Sequence, residues 1–249
     1  MKIIFRLLLL LMLCPVLFAQ SYHVTGSIPL GGTGAWDYLS ADVQGRRLYV
    51  SHANEVFAID LDSRKVIGKM SGFGFVHGIV LVDDLNRGFI SDGDKNEVDI
   101  FDPVTLKVTS RIKTLDDPNS MVYDRASGRL FAGHKSSRAM TAIHASTGHI
   151  DGIVHLDAEP EFPISDGMGN IYVNIEDKSE ILKIDAKTLK IQAHWPLAPC
   201  KSPSGLAFDP QTRRLFSACD NELMAIVDAD SGKVIATPRN RWRARRGCV

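Results

Sequence analysis

Two short motifs recur through this chain with the same spacing. The first is a strand-like motif around an aromatic residue, and these residues follow one another at intervals of 40, 42, 41 and 44 residues. They are Tyr49, Phe89, Phe131, Tyr172 and Phe216. The second motif is a turn of the Asp-x-x-Thr/Ser-Gly/Leu-Lys type, which begins at Asp60, Asp102, His144, Asp185 and Asp228. Two independent landmarks with one period predict five copies of one structural unit.

Each repeat is predicted to form four short strands. The second repeat shows them at 77–82, 87–91, 97–102 and 107–112, where Val, Ile and Phe alternate with turns of Asp, Gly, Asn and Pro. No segment keeps a helical apolar period for three turns. A unit of four strands and about 40 residues is a propeller blade, which buries both faces only between neighbouring blades. The chain is therefore predicted to be an all-β propeller with blades at about 36–70, 77–115, 118–156, 160–197 and 203–237.

A known family shares these features. The RLYVS segment at 47–51, the DxxTGKV-type turns and the period resemble the YVTN-repeat, YncE-like family of secreted bacterial beta-propellers. The resemblance covers about Trp36 to Thr237. Members of that family commonly have seven blades, so the resemblance implies an incomplete, truncated seven-bladed propeller. The alternative is five blades that close on themselves.

The two flanks of the repeats depart from the pattern. Residues 22–30 resemble the fourth strand of a blade and are predicted to be a lone closing strand. Residues 238–249 read PRNRWRARRGCV, a non-repeat tail with five arginines. We expect a truncated gene product whose last blades are replaced by a foreign or out-of-frame tail. The alternative is a native tail that binds anionic lipid or an acidic partner.

The N-terminus is typical of an export signal. Lys2 and Arg6 precede the apolar run from Leu7 to Leu13, which is too short to span a bilayer. We therefore predict a signal peptide at 1–19, no transmembrane span after its cleavage, and a periplasmic or secreted protein; an uncleaved anchor is the alternative. Between residue 19 and the tail, 22 basic and 29 acidic side chains remain, a net charge of −7. That acidic body makes nucleic acid an unlikely partner.

The cysteines fit an oxidising compartment. Cys200 enters the last repeat and Cys219 lies in its second-to-third turn, so topology brings both to one face. They are a candidate disulfide. Cys248 is the odd cysteine and lies in the tail. A thiol nucleophile is disfavoured because no paired histidine is evident.

Propeller topology also predicts where a ligand binds. The fourth-to-first connections and the second-to-third turns share one face around the channel mouth, and scaffolds present function on such loops. The predicted ligand-binding residues there are Trp36, Asp37, His52, His77, Asn119, Glu161, Asn174, Glu176 and Asp220. Glu161 is the best single candidate because adjacent prolines stiffen its loop.

Metal and catalytic signals are weak. The oxygen-rich turns offer Asp92, Asp94, Glu176 and Asp177 as candidate calcium ligands, although solvated turns have the same composition. His52, His77 and His134 lack zinc spacing, and no catalytic motif occurs. No other cofactor is predicted.

We therefore predict an exported, non-enzymatic binding module for an unknown small molecule, glycan or protein. The alternative is a metal-dependent hydrolase resembling gluconolactonase propellers, with Glu161, Asn174 and Asp220 as ligands. A third possibility is that a truncated chain has no activity of its own.

Overall fold

The computed structural model describes residues 23–240, and within this range the chain forms strands and no α-helix. The strands group into five antiparallel four-stranded sheets, one for each repeat, with the strands of each sheet in chain order. This arrangement confirms the all-β class and the four-stranded blades. The predicted signal peptide and residues 241–249 of the tail lie outside the described residues.

The strand bounds follow the five repeats. The first sheet contains β1 (Trp36–Asp42), β2 (Arg47–His52), β3 (Glu55–Asp60) and β4 (Lys65–Ser71). The second contains β5 (Val76–Val82), β6 (Arg87–Asp92), β7 (Glu97–Asp102) and β8 (Lys107–Lys113), with a 3-10 turn at Asp83–Leu85. The third contains β9 (Pro118–Asp124), β10 (Arg129–His134), β11 (Ala139–His144) and β12 (Ile150–His155). The fourth contains β13 (Pro160–Ser165), β14 (Asn170–Ile175), β15 (Glu180–Asp185) and β16 (Lys190–Pro196). The fifth contains β17 (Pro203–Asp209), β18 (Arg214–Cys219), β19 (Met224–Asp228) and β20 (Val234–Ala236).

The hydrophobic core lies between successive sheets. Phe89, Phe131 and Tyr172 occupy the same position of the second strand, and each is fully buried against the sheet that follows. Phe216 occupies this position in the fifth sheet and is only partly buried. The first strands of neighbouring sheets also pack together, from β1 to β17 in order. Among residues 23–240 no comparable packing joins the fifth sheet to the first, so these contacts do not close a ring.

The segment before β1 corrects one prediction. Residues 23–35 contain no strand, so the lone closing strand predicted at 22–30 is wrong for the part that the structure describes. Ile28 and Leu30 instead pack on the otherwise open face of the first sheet, against the buried cluster of Val50, Phe57 and Ile59. Apolar burial therefore holds this segment without ladder hydrogen bonds.

The recurrent turn joins the third and fourth strands, as predicted. The carboxylate of Asp102 accepts hydrogen bonds from the backbone N–H groups of Val104 and Thr105, at 2.7 and 3.0 Å. Four residues after the start of the turn, the backbone is left-handed, with φ of 73° at Gly232 and 56° at Leu106. Glycine recurs at this position because it adopts that conformation without a steric penalty.

A recurrent arginine ties each of the first three blades to the next one. Arg47, Arg87 and Arg129 begin the second strands of the first three sheets, and each donates to carbonyl oxygens in the third-to-fourth turn of the following sheet. For Arg129 these acceptors are Ala186 and Lys187, both at 2.8 Å. The arginine of the repeat motif is thus a contact between blades, which its sequence spacing alone does not show.

Replacing Arg129 tests this contact. Arg129→Ala removes two hydrogen bonds to the next sheet and a 2.6 Å ion pair with Asp151, on a side chain that is only 20% exposed. We expect the free energy of unfolding to fall by about 2–3 kcal/mol, measured by urea denaturation. The matched control is Arg214→Ala, which removes the exposed arginine at the same position of the fifth sheet. This control should change the free energy of unfolding by less than about 0.5 kcal/mol. Equal losses of stability in the two variants contradict a stabilising role for the contact of Arg129 with the next sheet.

Candidate functional site

The first strands of successive sheets pack against one another, on the side where propeller topology predicts a channel. The rings of Tyr38, in β1, and Phe162, in β13, have centroids 5.5 Å apart although they belong to the first and fourth sheets. Aromatic side chains therefore meet across the channel. The channel mouth, as named here, consists of these two rings and the charged residues beside them. Those residues are Asp37, His77, Asp117, Lys135, Arg138, Glu159, Glu161, Glu176 and Asp177.

His77 is held between a carboxylate of β1 and a carboxylate of the loop that precedes β9. Its Nδ1 lies 2.6 Å from Asp37 Oδ2, and its Nε2 lies 3.6 Å from Asp117 Oδ1. The ring of Phe75 lies 4.8 Å away from the imidazole. Gly93 passes so close that a Cβ at this position would lie 2.5 Å from Asp117 Oδ1. Any larger residue at position 93 would therefore have to displace the Asp117 side chain from the site.

Lys135 lies inside a group of glutamates. Its ammonium contacts Glu176 and lies 3.2 Å from Glu161 Oε2 and 4.0 Å from Glu159 Oε2. Burial lowers the pKa of Lys135, but the hydrogen bonds and charges of Glu176 and Glu161 outweigh burial and raise it overall. The mouth therefore already contains a protein ammonium group that carboxylates surround.

The channel mouth carries excess negative charge. Arg138 pairs with Glu159 and Asp177 at 3.6 and 3.7 Å, and it is the second permanent cation of the mouth beside Lys135. Against these two cations the mouth holds six carboxylates, of which the first two contact His77 and the others pair with Lys135 or Arg138: Asp37, Asp117, Glu159, Glu161, Glu176 and Asp177. Burial, followed by the charges of Glu161 and Asp37, raises the pKa of the Tyr38 phenol. The phenol therefore stays neutral.

Other predicted ligand-binding residues have structural contacts. Trp36 stacks on His52 with ring centroids 3.8 Å apart, next to the buried cluster of the first sheet. The backbone carbonyl of Asn119 accepts a 2.6 Å hydrogen bond from Ser91 Oγ. Asp220 is exposed in the turn after β18. Of the nine predicted residues, the structure brings Asp37, His77, Glu161 and Glu176 into the channel mouth.

Asn174 joins two sheets. Its side-chain amide donates to the backbone oxygens of Ser204 and Gly205, at 2.9 and 3.1 Å, while its oxygen accepts from Ser217 Oγ at 2.9 Å. The residue is fully buried. These bonds use the amide in contacts between the fourth and fifth sheets, so the hydrolase alternative gains no support from it.

The candidate calcium ligands separate into three environments. Asp94 is exposed, whereas Glu176 and Asp177 form ion pairs with Lys135 and Arg138. Asp92 is fully buried and accepts hydrogen bonds from the backbone N–H groups of Gly74 and Phe75. The four residues therefore do not form one shared site.

Two further acids lie beside Asp92, and the sequence did not predict either of them as a ligand. Oxygens of Asp92, Glu97 and Asp99 all lie within 4.8 Å of one another, and all three residues are buried. Burial raises the pKa of the Asp99 carboxyl to about 6; Arg111 opposes the shift, whereas Asp92 and Glu97 add to it. The missed signal was a charged residue at the centre of a third strand, where the other repeats have neutral side chains.

The two cysteines of the last repeat form a disulfide. Cys200 and Cys219 have Cα atoms 5.7 Å apart and are almost completely buried. They lie in the core cluster between the fourth and fifth sheets, which includes Leu206 and Tyr172. The bond fixes the loop that enters the fifth sheet to its second-to-third turn.

Comparison with known proteins yields one group of relatives. A protein described as "Uncharacterized protein YncE" from Salmonella typhi is 30% identical over 147 residues, covering 54% of this chain and 41% of the relative. The protein of the same description from Escherichia coli (strain K12) is 30% identical over 143 residues, covering 52% and 40%. The chain is thus similar to YncE proteins over about half of its own length. No family model matches it, so the narrower YVTN-repeat assignment stays a prediction.

The similarity to YncE proteins indicates no ligand or activity for this chain. The chain spans about two fifths of the length of these curated relatives, which are themselves described as uncharacterized. No helix within residues 23–240 of this YncE-like chain is long and apolar enough to cross a membrane. Its ligand and location therefore have to be argued from its own residues.

Proposed function

We propose that this YncE-like chain is an exported binding protein whose channel mouth takes a small organic cation. The observation that carries the proposal is the excess of carboxylates over cations around two aromatic rings. Carboxylates make charge-assisted hydrogen bonds to ammonium groups, and aromatic faces attract cations. The contacts of Lys135 illustrate this chemistry, because its ammonium lies among three glutamates.

Two observations support export to the periplasm or the exterior. Residues 1–19 have the charged-then-apolar order of a signal peptide. Cys200 and Cys219 form a disulfide, a bond that persists mainly in oxidising compartments. Detection of the mature chain in a periplasmic or culture-medium fraction tests this part of the proposal, and its recovery only in the cytoplasm contradicts it.

Titration calorimetry with spermidine at low ionic strength tests the binding site. Glu161→Gln keeps the side-chain shape but removes one carboxylate of the mouth, so we expect the Kd for spermidine to rise about 5- to 30-fold. The matched control is Asp62→Asn, which removes the same charge from an exposed turn on the opposite face, where Asp62 pairs with Arg46 at 2.6 Å. The control should leave the Kd within about twofold.

Three results contradict the proposed function. If spermidine produces no binding heat with the unmodified protein, the channel mouth does not take organic cations. If Asp62→Asn weakens binding as much as Glu161→Gln does, the amine responds to overall charge rather than to the mouth. Tighter binding of a neutral sugar such as maltose than of spermidine assigns the site to a glycan instead.

A further inference from the structure

A second cluster of acids lies outside the channel mouth. Asp92 ends β6, and Glu97 and Asp99 belong to the neighbouring strand β7. The strand register pairs Asp92 with Glu97, which brings the side chains together at one end of the second sheet. We propose that Asp92, Glu97 and Asp99 bind a calcium ion there.

Asp99 shows that the cluster is more than a chance grouping of acids. Its side chain is completely buried, and neither of its carboxylate oxygens receives a hydrogen bond. Glu97 Oε2 is likewise buried without a hydrogen bond. Burying a carboxylate oxygen without a hydrogen bond is costly, so such oxygens are suited to a metal ligand role.

The basic residues around the cluster leave part of this need unmet. Lys113 Nζ lies 2.7 Å from Glu97 Oε1, and Lys95 Nζ lies 3.6 Å from Asp92 Oδ2. Arg111 Nε lies 3.2 Å from Asp99 Oδ1 and 3.9 Å from Glu97 Oε2 without forming a hydrogen bond to either, and its side chain is 55% exposed. Each acid thus has a basic neighbour, but both oxygens of Asp99 and one oxygen of Glu97 accept no hydrogen bond and could serve as metal ligands.

Comparison of the repeats shows that the blade does not require these acids. The positions equivalent to Asp99 in the other sheets hold Phe57, Thr141, Leu182 and Ala225. The positions equivalent to Asp92 hold His52, His134, Ile175 and Cys219. Glu97 is less distinctive, because Glu55 and Glu180 occupy its position in two other sheets. Asp92 and Asp99 are therefore particular to the second sheet, and Asp99 accepts no hydrogen bond that would give it a folding role there.

The chemistry favours calcium. All the donors are carboxylate oxygens, and their mutual separation of up to 4.8 Å equals about twice a calcium–oxygen distance of ~2.4 Å. Backbone N–H groups of Gly74 and Phe75 hold Asp92 in place and leave lone pairs for a cation. Mg²⁺ needs shorter distances and keeps more of its own water, so it should bind more weakly.

Calorimetry and thermal denaturation of the purified chain test the site, after EDTA treatment and dialysis into metal-free buffer. We expect one Ca²⁺ per chain with a Kd of about 10⁻⁴–10⁻³ M, the range of extracellular calcium sites. About 5 mM Ca²⁺ should then lower the unfolding equilibrium constant roughly 6- to 50-fold. Asp99→Asn and Asp99→Leu should abolish both effects; the second variant introduces the residue that the fourth sheet holds there.

The control is Asp94→Asn, which removes an exposed acid from the turn between β6 and β7. This variant should keep the Kd for calcium within about twofold. Absence of calcium heat in the unmodified protein overturns the proposal. An equal loss of calcium binding in the Asp94 and Asp99 variants also overturns the proposal, because it would place the calcium on the exposed turn. Glu161→Gln should bind calcium normally, so failure of this site and failure of the channel mouth can be told apart.

Discussion

Phe131→Ala is expected to lower the free energy of unfolding by about 3–5 kcal/mol. Phe131 is completely buried between the third and fourth sheets, where it contacts a cluster that includes Val173 and Leu182. Removal of the ring leaves a cavity that the strands on both sides cannot close without breaking their ladders. Urea denaturation followed by circular dichroism measures the loss. Phe131→Leu, a smaller change with an expected cost of about 1–2 kcal/mol, keeps the test readable if the alanine variant does not fold.

Phe216→Ala provides the matched control. Phe216 has the same place in the repeat, but it lies on the far side of the fifth sheet and is only partly buried. We expect Phe216→Ala to lower the free energy of unfolding by only about 1–2 kcal/mol, because folding removes less of this ring's apolar surface from water. If the two alanine variants lose equal stability, packing between sheets does not account for the stabilising effect of Phe131.

Removing the disulfide should have the second largest effect. Cys200 and Cys219 are 19 residues apart, and cross-linking a loop of that length stabilises a protein by about 3 kcal/mol in the chain-entropy model. We therefore expect the Cys200→Ala/Cys219→Ala double variant to unfold at lower urea concentration by that amount. The loss should be concentrated in the fifth sheet, because the bond joins two of its loops.

A reducing agent separates this effect from lost packing. Dithiothreitol should destabilise the unmodified protein but leave the double variant unchanged, because the variant lacks the bond between Cys200 and Cys219. If the unmodified protein denatures identically with and without the reductant, while free-thiol titration shows the bond reduced, the stabilising role is wrong.

The residues of the channel mouth were only partly predictable from the sequence. Topology correctly grouped Asp37, His77, Glu161 and Glu176 on one face, because loops of successive repeats alternate between two faces. It did not identify Lys135, whose partners lie 26 and 41 residues away. It also placed Asn174 among ligand contacts, whereas its amide bonds two sheets together.

The acidic cluster, too, was only partly predictable from the sequence. Asp92 stood out because it lies in an oxygen-rich turn, while Asp99 was hidden inside a strand of the predicted core. Only the pairing of β6 with β7 places their side chains together. Comparing equivalent positions across the five repeats would have exposed Asp99 as the charged exception.

The sequence by itself determined the repeat unit, its four strands and its turns. These features depend on alternating apolar residues and on contacts within a few residues, such as the Asp102 turn, so each repeat specifies them locally. Tertiary structure alone decided which side chains meet between repeats, including Tyr38 with Phe162 and Arg129 with Ala186. Those meetings depend on how each sheet is rotated against the next, and that rotation results from packing across many residues rather than from any local pattern.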